Sequence, residues 1–105
     1  MSNTPASCID RYVEVDGLKL HVQDYGGVGK PPILCVHGSA AHAHWFDFVA
    51  SGLKDDYHIL APDQRGHGDS EWDRSTNPAY HYDRYAADLH ELTEKLDLRD
   101  FILVG

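Results

Sequence analysis

Cysteine is nearly missing from this 105-residue chain, and the two that occur are poorly matched. Cys8 lies in a polar N-terminal stretch, whereas Cys35 sits inside an apolar run that reads as a buried strand. No structural disulfide is expected between them, which makes a reducing cytoplasm the default compartment. Positive charge is scarce as well: 9 Lys+Arg face 17 Asp+Glu, for a formal net charge of -8. Such a field repels DNA and RNA and gives no hold on an anionic membrane surface, so neither is expected as a partner. No apolar run approaches the roughly 20 residues needed to cross a bilayer. The opening Met1-Ser-Asn-Thr-Pro-Ala-Ser7 lacks the apolar segment of a secretory signal. Repeats and low-complexity segments are missing too.

What is present is an ordinary globular composition, 42% apolar and 25% charged, with room for one domain at most. Residues 1–10 read as a polar tail. Arg11 to Val15 and Leu18 to Tyr25 are strand-like and are joined by Asp16-Gly17, a dipeptide suited to a two-residue hairpin turn. Leu18, Leu20 and Val22 alternate with Lys19, His21 and Gln23, which predicts a strand with one buried face and one polar face. Ile33 to Val36, Tyr57 to Ala61 and Phe101 to Val104 are short runs rich in apolar residues and read as strands. The first and last of these are apolar on both faces. The first reads as a strand covered by helices on each side. The last is expected to be a bare edge strand that invites pairing with another chain. Trp45, Phe48, Val49 and Leu53 are spaced as the core stripe of a first helix. A second helix is predicted from an Asp83 N-cap to Leu96, with Tyr85, Leu89, Leu92 and Leu96 inward and a Glu91–Lys95 pair outward.

This order, a hairpin followed by alternating strands and helices, predicts an α/β fold with a largely parallel sheet and right-handed crossovers. Ligands of such sheets bind beyond the carboxyl ends of the strands. Two loops leave those ends, one from His37 to His44 and one from Asp63 to His81. In the first, His37-Gly38-Ser39-Ala40 offers a tight turn with small residues, whose backbone N–H groups are accessible and could hold an oxyanion. The second opens with Asp63-Gln-Arg65-Gly66-His-Gly68-Asp-Ser70, which as a rigid surface turn would set Asp63 against Arg65. Glu71 stands where the third glycine of a dinucleotide-binding G-x-G-x-x-G would fall, so no such cofactor is expected.

Ile33-Leu-Cys-Val-His-Gly38, Pro62-Asp-Gln-Arg-Gly-His-Gly-Asp-Ser70, and Tyr85-Ala-Ala-Asp-Leu89 leading to Phe101-Ile-Leu-Val-Gly105 together resemble the α/β-hydrolase family. The resemblance covers residues from about 11 to 105 and implies an incomplete hydrolase domain with sheet order 1-2-4-3-5. It implies that Ser39 supplies an oxyanion-hole N–H, with Ala40 flanking it. It also implies that His37, Gly38, Asp63, Arg65, Gly66, Gly68 and Ser70 form supporting loops. Gly105 matches the first glycine of the G-x-S-x-G nucleophile elbow, so the nucleophile, acid and histidine are all expected after it. No catalytic residue is therefore expected within the chain, which alone should be inactive.

The implied activity is cofactor-free hydrolysis of a small ester, lactone or related acyl substrate, with the remainder of the domain as partner. Haloalkane dehalogenases, epoxide hydrolases and cofactor-free haloperoxidases share the fold and stand as alternatives, as does a non-catalytic module. The dehalogenase and epoxide-hydrolase pattern usually carries proline where this chain has Ala40, which favours a serine enzyme. His37, His42 and His44 lack a ligand set of recognised spacing, so no metal is expected.

Overall fold

The structure, a computed structural model, describes residues 6–38 and 40–105. Five strands form one sheet: β1 (Ile9–Val15), β2 (Leu18–Asp24), β3 (Pro32–Cys35), β4 (His58–Pro62) and β5 (Ile102–Val104). Their order is β1-β2-β4-β3-β5, as the family resemblance implies. β1 pairs antiparallel with β2, and β2 antiparallel with β4; β4–β3 and β3–β5 are parallel. The hairpin turns on Asp16 and Gly17, with φ of 51° and 75°. Both are left-handed, and their twist suits the right-handed twist of the flanking strands. β1 begins earlier than the expected Arg11, because Ile9 and Asp10 already pair with Asp24 and Gln23.

Apolar residues pack on both faces of the central strands, the pattern of a sheet sandwiched by helices. On one face Ile33, Cys35, Ile59 and Ala61 meet Ala43 and Ala50 of the segment that follows β3. On the other, Leu34 and Leu60 join Val15, Leu20, Val22 and Leu92 beneath helix α2 (Tyr82–Lys95). Both cysteines are free, Cys35 buried and Cys8 partly so. Among the described residues no helix is long and apolar enough to cross a membrane.

Three expectations need correction. First, the polar side of β2 is not solvated: His21 and Gln23 are both fully buried. β2 has neighbours on both edges, and polar partners meet these two side chains, Asp63 at His21 and Tyr25 and Asp47 at Gln23. Second, the expected core stripe of the first helix faces out. Trp45 is 67% exposed and Phe48 60%, with Val49 and Leu53 also exposed. A 3-10 turn at Ala43–Phe46 precedes α1 (Asp47–Leu53) and shifts its phase, so small Ala43 and Ala50 sit against the sheet and the large side chains point away. Third, α2 is capped by His81, not Asp83. His81 is extended and its Nδ1 accepts the Arg84 N–H at 3.2 Å, which leaves Asp83 in the first turn facing the helix dipole. As expected of a bare edge strand, β5 is exposed throughout, Leu103 by 61%. It is an edge strand, and nothing among the described residues lies beyond it. The Glu91–Lys95 pair forms as expected, at 3.0 Å.

Candidate functional site

β3 and β4 run parallel, so their carboxyl ends lie side by side and the loops that leave them face each other. His37, just past β3, is buried and bonds across this gap. Its Nδ1 donates to the Gly38 carbonyl at 2.7 Å and its Nε2 accepts the Gln64 N–H at 3.0 Å. A ring that donates at one nitrogen and accepts at the other is neutral. Burial holds its pKa below the ordinary histidine value, more than the Gly38 carbonyl offsets. The Gln64 side chain returns the contact, its Nε2 donating to the His37 carbonyl at 2.9 Å.

Ser39 lies outside the described residues. Ala40 has a left-handed backbone, φ 62°, and its N–H donates to His67 Nε2 at 3.3 Å. The His67 Nδ1 donates to the Arg65 carbonyl at 3.0 Å, which fixes the tautomer and leaves Nε2 as the acceptor. The His37 and His67 rings stack at a tilt, centroids 4.9 Å apart. Gly38 is open on the side where a Cβ would stand.

Asp63 ties the far end of the same loop. Its Oδ1 accepts the Ala43 N–H at 2.7 Å, and its Oδ2 accepts the Asp69 N–H at 3.1 Å and faces His21 Nδ1 at 2.7 Å. Burial would raise the pKa of this carboxyl, but the two amides and His21 outweigh burial and hold it below the usual carboxylate range. Ser70 closes the turn. Its hydroxyl donates to the Asp63 carbonyl at 2.5 Å and accepts the His21 N–H at 2.8 Å. With that proton committed and the side chain buried, Ser70 is structural. Gly68, with φ 50°, passes so close to the Asp63 carboxylate that a Cβ would collide with it. Gly66 packs against the Tyr80 ring in the same way.

Arg65 does not pair with Asp63, which corrects the expected contact. It is buried and grips Asp88 of α2 with two bonds, Nε to Oδ2 at 2.6 Å and Nη2 to Oδ1 at 2.8 Å. Its Nη2 also donates to Asp16 of the hairpin turn, at 2.8 Å. Asp88, given no role by the sequence although it stands in the Tyr85–Leu89 motif, thus joins the β4 loop to α2; its other sequence signal is a carboxylate on the inner face of an amphipathic helix. Tyr85 is half-buried near His67, centroids 6.3 Å apart.

The structure therefore brings together His37, Gly38, Ala40, Asp63, Arg65, Gly66, Gly68 and Ser70 as one braced shelf. His42 and His44 do not join it; both are exposed, and His44 pairs with Asp47 at 2.9 Å. Sequence reading missed His21 and His67. Ligand atoms of His21, Asp63 and Asp69 approach within 4.8 Å. Both nitrogens of His21 already face carboxylates, however, so this is ion-pair chemistry.

A profile described as alpha/beta hydrolase fold matches residues 31–105. Epoxide hydrolase A of Mycobacterium tuberculosis is 34% identical over 97 residues, 91% of this chain and 30% of that protein. A non-heme chloroperoxidase of Streptomyces lividans is 34% identical over 91 residues, 86% of this chain and 32% of its own length. The crystal structure of an alpha/beta hydrolase from Novosphingobium aromaticivorans superposes with a TM-score of 0.85 at 35% identity, covering 95% of this chain and 35% of that one. The chain thus spans about a third of the length of the proteins it matches.

Proposed function

The chain belongs to the alpha/beta hydrolase fold family, and on that premise we propose that it supplies the oxyanion side of a serine hydrolase acting on a small ester, lactone or related acyl substrate. The Ser39 amide holds the developing oxyanion, with Ala40 flanking it and its own N–H kept in place by His67. Backbone donors of this kind are worth about 3–4 kcal/mol each to the transition state. The nucleophile, the acid and the histidine base come from further residues of the hydrolase domain. Those residues also cover the edge of β5 and the outward apolar side of α1, which are exposed here. The chemistry needs no cofactor. The two free cysteines suit a reducing cytoplasm.

The observation that carries the reading is the backbone at Ala40. Its φ of 62° lies where proline, locked near -65°, cannot go. The loop therefore differs from the proline-bearing pattern of the aspartate-nucleophile enzymes. The runner-up, an epoxide hydrolase, dehalogenase or haloperoxidase activity, is favoured by the names of the two relatives above. The test is to assay the longer protein that contains this chain against p-nitrophenyl acetate and against styrene oxide. Saturable ester turnover that a serine-directed phosphonate abolishes supports the serine reading. Epoxide opening with no ester turnover supports the runner-up. Enzyme-level turnover by these 105 residues alone overturns the proposed position of the nucleophile.

A further inference from the structure

His21 is fully buried, and both of its ring nitrogens face carboxylates. Nδ1 lies 2.7 Å from Asp63 Oδ2 and Nε2 lies 2.6 Å from Asp10 Oδ1. An ionised carboxylate only accepts, so each ring nitrogen has to donate, and a neutral imidazole carries a single N–H. A neutral ring would set a lone pair against a carboxylate oxygen within the buried cluster. The other escape, a protonated carboxyl, is closed on each side. Every hydrogen-bond partner of the Asp63 carboxylate is a donor: the Ala43 and Asp69 amides and His21 itself. The Asp10 side chain is 62% exposed, so solvent supports its charge.

We propose that His21 is a positioning residue of this site: a buried imidazolium that keeps Asp63 ionised and aimed at the Ala43 amide, and so sets the backbone of the His37–His44 loop. The functional half of this rests on reading that loop as the oxyanion-hole loop. Mechanically, Asp63 holds Ala43 by one oxygen while the other receives His21 and Asp69, so the cation and the two loops share one carboxylate. Loss of the proton removes one charge-assisted bond and leaves Asp63 free to turn toward the Asp69 amide. The loop then loses its anchor at Ala43.

The groups facing the ring come from three directions. β1 contributes Asp10 and the Tyr12 ring, centroid 5.3 Å away. β2 itself contributes Lys19, whose ammonium sits 5.2 Å from the centre of the Tyr12 ring. The loop after β4 contributes Asp63 and Asp69, and Glu71, whose carboxylate accepts the Lys19 N–H. Anions outnumber the lone cation. Burial pulls the pKa of His21 down, the bonds to Asp10 and Asp63 push it up, and the net direction is up.

The test is nitrogen-15 NMR of imidazole and amide groups in the longer protein that contains this chain, titrated from pH 5 to pH 9. The expected result is two protonated ring nitrogens on His21 at pH 7, a titration step above about pH 6.5, and an Ala43 amide that moves in that same step. Asp10→Asn, altered at the exposed end of the triad, should keep the fold and move the step down by roughly one pH unit. A single protonated nitrogen at pH 7 overturns the proposal, as does a step at or below about pH 6.5 or an Ala43 amide that ignores the step. These readouts concern the ring and the loop, so they stand whether or not the longer protein hydrolyses esters.

Discussion

Two buried histidines brace one loop from opposite sides, one neutral and the other positively charged. His37 sits at the start of the loop, between a carbonyl that accepts its proton and an amide that donates to its bare nitrogen. His21 sits beneath the exit of β4, between two carboxylates that both accept. Burial is almost the same, 3% exposure for His37 and none for His21. Burial alone would make both neutral. The partners decide otherwise: one donor and one acceptor fix a neutral tautomer, whereas two anions fix a cation. The same residue type thus serves as a neutral clip across two loops and as a counter-ion holding a third group in place.

The largest break in this comparison comes from Asp63→Ala. It strands a buried imidazolium beside Asp10 alone and leaves the Ala43 and Asp69 amides without their acceptor. A loss of about 3–5 kcal/mol is expected in urea unfolding. Gly68→Ala strikes the same carboxylate from outside, since the new methyl would occupy its place at a left-handed backbone. It should cost about 2–3 kcal/mol, whereas Gly17→Ala, equally left-handed but in open space, should cost only about 1–2 kcal/mol, the backbone penalty alone. If the two glycine variants unfold alike, the tight approach to Asp63 is not what Gly68 provides.

His37→Leu removes the other clip, leaving the Gln64 amide and the Gly38 carbonyl unpaired, at about 1–3 kcal/mol. Here pH separates the two histidines. The folded pKa of His37 is lowered, so its contribution is complete above about pH 6.5 and fades as pH falls through the folded value. That of His21 is raised, so its contribution is complete below about pH 6.5 and fades as pH rises through the folded value. Stability should therefore decline on both sides of about pH 6.5. His37→Leu should flatten the acid limb down to about pH 4, the ordinary aspartate value. Below it the contribution of Asp63, whose folded pKa is lowered, starts to fade. Asp10→Asn is the smallest change, less than about 1 kcal/mol at pH 6 because Asp10 is mostly exposed, with an alkaline limb that is shallower and ends at a lower pH. Thermal unfolding followed by circular dichroism across pH reads both limbs.

Much of this was legible before folding. The hairpin was written in Asp16-Gly17 and the twice-covered β3 in Ile33 to Cys35, because turn chemistry and hydrophobic period act over a few residues. The two loops were legible as the place for chemistry because parallel strands bring their carboxyl ends together. The roles of His21, His67 and Asp88 were not. Each depends on a partner far along the chain: Asp63 for His21, Ala40 for His67 and Arg65 for Asp88. In local pattern His21 is one polar member of an alternating strand, and such members normally face water. The outward turn of Trp45 and Phe48 had a similar cause: helical spacing identifies a stripe, but the 3-10 turn before α1 chooses which side meets the sheet.

By itself, then, the sequence determined the element order, the hairpin, the chain's acidic character and the positions of the two loops. All of these follow from composition and from periodicities of two and three to four residues. Only the tertiary structure decided which polar groups are buried and with whom, and therefore that one histidine is neutral while another is charged. Charge state is a property of contacts across the fold, and those contacts exist only once β1, β2, β3 and β4 have come together.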